Sequence, residues 1–487
     1  MEPTLLVPAN VAPPRHPLPL SFVPMPSAAY RLHRKAAQLA EQPGRPRLTL
    51  LQADTAPPPA LHLDLPVGSR VLIWKQDPSV ADLGVRKSYL PGIVLQGPRD
   101  ARITYGVPGI AAVSPNSFGD FIMAPETDQF DAVHTFAIVR QTLTMYQRAL
   151  AASGAPAPLP WQWNSASNTA PLAVLPHGLP DVMNAYYSRS DRAVKFGDFI
   201  ADDEHARMYT CRSLDIVSHE TGHAVLDGLK PRWLLSNNPP QTGGLHESFG
   251  DLTAIFLTLS QLDLVEAVIA QTRADLHDKT FLADMAEQFG LALGRPNGLR
   301  NADNDLKLSD AGTEVHAISQ VFTGAIYDIL ADMFSFERQP AVEDDAVVLL
   351  RVGEYLRGLV LRALLAAPDS RATFADVANQ MMSISATDGK PQDYIGFIRN
   401  RFIVREVLST QALAGDGGGV TLLQALVVDA PNAPQDRRAC CGTMNHAQYG
   451  SQEDVLDDER QALAAWCHGY HNGAAGNGAA AGTPATP

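Results

Sequence analysis

The period of the apolar residues changes part-way along this chain. From Gly68 to about Ile122 they come in short β-type runs, VLIW at 71–74, GIVL at 92–95 and ARITY at 101–105, broken by Pro and Gly, which predicts a sheet-forming segment. Between Asp128 and Ala151 the spacing becomes three and four, through Phe130, Val133, Phe136, Val139, Leu143, Tyr146 and Leu150, and predicts an amphipathic helix. A Pro-rich loop at 155–161 leads into further strand-like and polar turn segments as far as Asp215. Helical periodicity then covers 215–229, 245–262, 315–335, 343–366, 372–384 and 391–409. Strands followed by helices predict an α+β fold, and no internal repeat interrupts the order.

The ends fit neither period. Residues 1–66 are rich in Pro and Ala, with PPPA at 57–60, and read as an extension without its own core. A second extension, 411–487, closes on the low-complexity tail NGAAGNGAAAGTPATP. Between them lie a β-rich part, 67–229, and a helical part, 230–410. Lys plus Arg number 38 against 52 Asp plus Glu, a net charge of −14, and no basic run stands out, so nucleic acid is not an expected partner. Mean hydropathy is −0.08, and no apolar stretch approaches the roughly 18 residues of a membrane span. The opening MEPTLLVPANVAPPRHPLPLSFVP lacks the pattern of a secretory signal, so the expectation is synthesis in the cytoplasm, with export by another route left open. Four cysteines are too few for a disulfide framework; Cys440, Cys441 and Cys467 lack CxxC spacing and read as buried or reactive thiols. Oligomeric state is not legible.

The chemistry concentrates in DIVSHETGHAVLDGL. His219 and His223 are four apart, so a helix projects both from one face toward a common metal, and Glu220, beside the first, can act as general base toward a water there. A catalytic zinc needs a third protein ligand and an open position. Glu247, 24 residues after His223 in GGLHESFGDLTAIF, is the candidate, and Asp251 at i+4 can hold the outer N–H of a ligating histidine.

HETGHAV followed by HESFGD resembles the HExxH…NExxSD arrangement of the thermolysin-like zinc metalloproteases. MNAYYSRSDRAVKFGD (183–198) is similar to that family's substrate-aligning edge segment, and DAGTEVHAISQVFTGAIYDI (310–329) to the segment with its second catalytic histidine. The likeness covers about 290 residues, 115–405. It implies a two-lobe fold, β-rich then helical, with the zinc site in the cleft between, and an endopeptidase acting on peptide or protein substrates. It implies one zinc on His219, His223 and Glu247, Glu220 as base, and His316 as hydrogen-bond donor to the oxyanion. Asp251 and Asp310 would support these groups. Asn184 and the backbone of Ala185 would pair with substrate main chain, and Arg300 would bind the carbonyl beyond the scissile bond.

The chain departs from the family in three places. The aspartate that orients the second histidine lies five residues before it in the family; here Asp310 is six before His316, and Glu314 two before. The family's second oxyanion donor, a tyrosine, is replaced by Leu234 beside Trp233, whose indole N–H is one substitute. Asp215 fits a calcium ligand, but Thr258 stands where a glutamate is expected, so Ca2+ is left open. Two other readings stand beside the endopeptidase: a zinc-bearing scaffold that binds peptides without cleaving them, and an exopeptidase on a related metal helix.

Overall fold

The computed structural model describes residues 68–409, apart from 81, 106–109, 155–157, 201–206, 236 and 293–297. The two extensions, including Cys440, Cys441 and Cys467, lie outside the described residues. The described part belongs to one compact unit beginning at Asp64.

Helix and sheet are mixed. β1 (Ser69–Trp74) pairs antiparallel with β2 (Val85–Leu90), Val71 opposite Ser88. A five-stranded sheet follows the order β3 (Ile103–Tyr105), β4 (Leu172–Leu179), β6 (Ala193–Ile200) and β5 (Ala185–Ser188), with β7 (Arg207–Tyr209) also on β6. β3, β4 and β6 run parallel, whereas β5 and β7 are antiparallel to β6. β6 is buried on both faces along AVKFGDF, which suits a central strand. The run GIVL forms no strand, and Leu95 makes only an isolated bridge to Arg99. β2, VRKSYL, carries a weak apolar pattern because its side chains are largely exposed, so its pairing came from β1 rather than from its own periodicity.

The long helices follow the apolar period, whereas two shorter ones, at 262–272 and 287–292, lie where the sequence pattern placed loops. In chain order the helices are α1 (Asp128–Ala152), α2 (Leu214–Leu229), α3 (Pro240–Leu259), α4 (Leu262–Thr272), α5 (Glu287–Ala292), α6 (Val315–Glu337), α7 (Asp345–Ala366), α8 (Phe374–Thr387) and α9 (Gln392–Val404). Thr127 caps α1 through Phe130 N–H, and Thr373 with Asp376 forms a capping box on α8. α3 starts five residues before its apolar pattern does. Pro240 in the first turn has no N–H to satisfy, and Gly244 packs where a Cβ would come within 2.8 Å of Ile318. Two short strands, β8 (Asp284–Met285) and β9 (Arg300–Asn301), pair between α4 and α6.

One hydrophobic cluster runs from Val71 to Leu408, and so continues across the 229/230 division. α1 packs on β1 and α2, while α3 lies against α2, α6 and α7. The two motif helices are therefore held at the centre of the core. Among the described residues, no single helix is long and apolar enough to cross a membrane.

Candidate metal centre

Two glycines let α2 and α3 approach closely. A Cβ on Gly222 would come within 2.6 Å of Thr253 Oγ1 and 3.3 Å of Gly250 Cα, and one on Gly250 within 2.6 Å of the His219 ring. Their absence of side chain leaves room for the His219 imidazole between the helices. It also sets the helix spacing that brings Glu247 to both histidines. His219 Nε2 lies 3.6 Å from Glu247 Oε2, and His223 Nε2 lies 3.6 Å from Glu247 Oε1. All three side chains are buried, and their ligand atoms lie within 4.8 Å of one another. That is a group able to hold a metal ion.

The outer face of each ring is fixed as well. His219 Nδ1 sits 3.0 Å from Asp251 Oδ1, and Asp251 accepts from Arg300 Nη2 at 2.6 Å and Nε at 3.1 Å. His223 Nδ1 sits 2.7 Å from Nδ1 of His246, a fully buried neighbour of Glu247. Burial holds His223 well below the ordinary histidine value and His246 at about 3, so both rings are neutral, the form in which imidazole coordinates a metal. Burial alone would push Glu247 up, but His316 and His223 hold it well below the ordinary glutamate range, in its ionised form.

Glu220 and the edge strand face this group. Glu220 is buried and accepts a hydrogen bond from Tyr187 N–H at 3.0 Å. β5 is anchored to α2 through Asp227, which accepts from Tyr187 Oη at 2.8 Å and from Arg189 Nε at 2.9 Å. Asn184 Oδ1 accepts from Ala185 N–H at 2.8 Å, so this edge N–H, expected to meet substrate, is held by its own neighbour. Asn184, Ala185, His219, Glu220, Asp251 and Arg300 line one cleft pocket, whose apolar wall is Ile216, Met285, Phe289 and Leu299.

His316 stands in the first turn of α6, and its Nε2 lies 3.0 Å from Glu247 Oε2. Its partner is Glu314. The Glu314 carboxylate caps α6 by accepting from His316 N–H at 3.0 Å and Ala317 N–H at 2.7 Å, and it meets His316 Nδ1 at 2.8 Å. Asp310 does not make the expected contact: it is exposed, and its carboxylate accepts from Lys307 N–H at 3.3 Å. The longer loop moves it away, and a residue two before the ring reaches it through the cap.

No described protein family and no curated protein matches the chain. Among solved structures it is similar to the precursor of protealysin, a metalloproteinase from Serratia proteamaculans, at 14% identity and a TM-score of 0.41 over 62% of this chain and 86% of that one. The functional reading therefore rests on the residues.

Trp233 is not an oxyanion donor. Its buried indole N–H donates to Pro368 O at 3.0 Å, and Leu234 is buried beside it. Near Asp215, the fold brings up two carboxylates remote in sequence. Asp77 and Asp215, with Glu287, are shifted above the ordinary carboxylate range by burial first and, for Asp215 and Glu287, by mutual repulsion; Glu287 is pushed up to about 11. Two other metal-capable groups are differently engaged. In the first, Arg212 binds Asp131 through two hydrogen bonds; in the second, Arg405 binds Asp328. The residues not found from the sequence are His246, Gly222 and Gly250. Each lies inside a motif already singled out, yet its part depends on what crosses it from the other helix.

Proposed function

We propose that this chain is a zinc-dependent endopeptidase that hydrolyses peptide bonds in peptide or protein substrates. The observation that supports it is the convergence of His219, His223 and Glu247 into one buried group, with Glu220 lining a pocket together with His219. Two neutral imidazoles and a carboxylate, each imidazole held at its outer nitrogen, suit an open catalytic zinc site. When bound, zinc would supply Lewis acidity and make water acidic enough to react near neutral pH. Glu220 would take the proton of the attacking water and return it to the leaving amine. His316, fixed by Glu314, would donate from Nε2 to the carbonyl oxygen as it becomes anionic, exchanging its contact with Glu247. For an extended substrate to align along the β5 edge through Asn184 and Ala185, Asn184 Oδ1 would first have to release the Ala185 N–H. Arg300, held on Asp251, would meet the carbonyl beyond the scissile bond. The wall of Ile216, Met285, Phe289 and Leu299 would take an apolar side chain after that bond. The pocket draws on both the β-rich and helical parts, consistent with a thermolysin-like two-lobe arrangement.

Glu220→Gln keeps the side-chain shape and all three ligands. Metal should remain at one ion per chain while hydrolysis of unstructured peptides falls by about 10² to 10⁴. Cleavage undiminished in that variant would sink the mechanism. A wild type that holds zinc but cleaves no peptide between about pH 5 and 9, the range bracketing a zinc-bound water, would favour the scaffold reading.

A further inference from the structure

A second cavity, of about 270 Å³, lies away from the cleft and shares no lining residue with it. Its walls come from β2, α1, α3 and α7, and Tyr89, Leu90, Met145 and Leu257 supply the apolar part. Its volume is near the lower end, roughly 300 Å³, of ordinary small-molecule pockets.

Arg357 of α7 lines this cavity and is 7% exposed. The other buried arginine among the described residues is matched, Arg405 binding Asp328 and Asn304, and half-buried Arg212 likewise binds Asp131. Arg357 has no such match. Its Nε is sealed from solvent without a hydrogen-bond partner, and among the described residues no carboxylate lies within ion-pair distance of its guanidinium. Burial pulls it below the ordinary arginine value, and the nearby charge of Glu354 only partly offsets this. A buried cation loses hydration, and without a partner nothing is returned. Glu354 and Arg148 also line the cavity, both exposed, so the lining carries two arginines against one glutamate. A guanidinium is a planar fork of donors that matches a carboxylate's two oxygens.

We propose that this cavity binds a small carboxylate with a compact apolar body, its carboxylate on Arg357 and its apolar part against Leu90, Met145 and Leu257. The net positive lining favours one negative charge, and Leu90, Met145 and Leu257 give an otherwise polar lining one apolar side, which suits a ligand with an apolar part better than a fully hydrated anion such as phosphate.

The test titrates the full-length, metal-loaded chain with hexanoate, hexanamide and inorganic phosphate, read by thermal shift and saturation-transfer NMR. Hexanoate should bind saturably, and hexanamide should bind at least about tenfold more weakly, the factor expected for losing a charge-assisted hydrogen bond. Arg357→Met should weaken hexanoate by about 10- to 100-fold. Without ligand, its thermal midpoint should stay level or rise, because an unmatched buried charge has been removed. Arg357→Lys keeps the charge but loses the fork, and should bind more weakly than wild type. Hexanoate binding undiminished in Arg357→Met would place the carboxylate elsewhere, for instance on the metal, and overturn the proposal. So would absence of saturable binding to the wild type, phosphate binding as tightly as hexanoate, or a lowered midpoint in ligand-free Arg357→Met. None of these outcomes depends on peptide hydrolysis.

Discussion

His246→Leu tests how His223, the second candidate metal ligand, is held. His223 Nε2 faces Glu247, so metal binding through that nitrogen requires the ring proton on Nδ1. There the proton meets His246 Nδ1 at 2.7 Å, inside a wholly buried pair. His246 is neutral, with its value depressed to about 3, and must present a lone pair at Nδ1. The contact is thus one N–H···N hydrogen bond. Leucine would leave the His223 N–H buried and unsatisfied at a cost of about 1 to 3 kcal/mol, and loss of a supporting partner typically weakens metal binding by about 10- to 100-fold. Without metal, much of that penalty is avoidable, because His223 can move its proton to Nε2, facing Glu247. The loss should therefore appear in zinc affinity, measured by competition with a chromophoric chelator, more than in metal-free stability. His246→Asn keeps an acceptor and should recover part of the affinity. Equal zinc affinity in wild type and His246→Leu, or a fall in metal-free stability alone, would refute the argument.

Gly250→Ala puts a methyl group within 2.6 Å of the His219 ring, which Asp251 holds at 3.0 Å; overpacking of about 1 to 3 kcal/mol and reduced zinc content are expected, checked by denaturant melts and metal analysis. Glu314→Ala removes the α6 cap, costing about 0.5 to 2 kcal/mol, and frees His316, so turnover should fall by up to about 10²; Asp310→Ala should leave turnover unchanged. Glu287 is raised to about 11 in the folded chain, so the fold binds more protons than the unfolded chain between about pH 4.5 and 11. Its contribution is complete below the unfolded value and is lost as pH rises, at up to about 1.4 kcal/mol per pH unit for one proton. Chemical denaturation across pH 5 to 9 should therefore show falling stability that Glu287→Gln flattens.

The local part of this protein was legible in its sequence. Periods of three and four marked the seven longest helices among the described residues, because a face must be apolar to enter a core, and HETGH placed two histidines on one face through helix geometry alone. Elements that borrow their stability from a neighbour escaped that reading. β2 is a strand because β1 offers it a hydrogen-bonding edge, whereas GIVL has the composition of a strand and no such partner. At the site, only the tertiary structure selected partners. Glu314 rather than Asp310 meets His316, the Trp233 indole turns to Pro368, and His246 rests on His223. Gly222 and Gly250 matter through the ring and backbone that press on them from the opposite helix. Asp77 reaches Asp215 and Glu287 across well over a hundred residues. Spacing along a chain specifies which groups share a face, but the separation and crossing of two packed helices decide which groups touch, and those are set by side-chain volumes far apart in sequence.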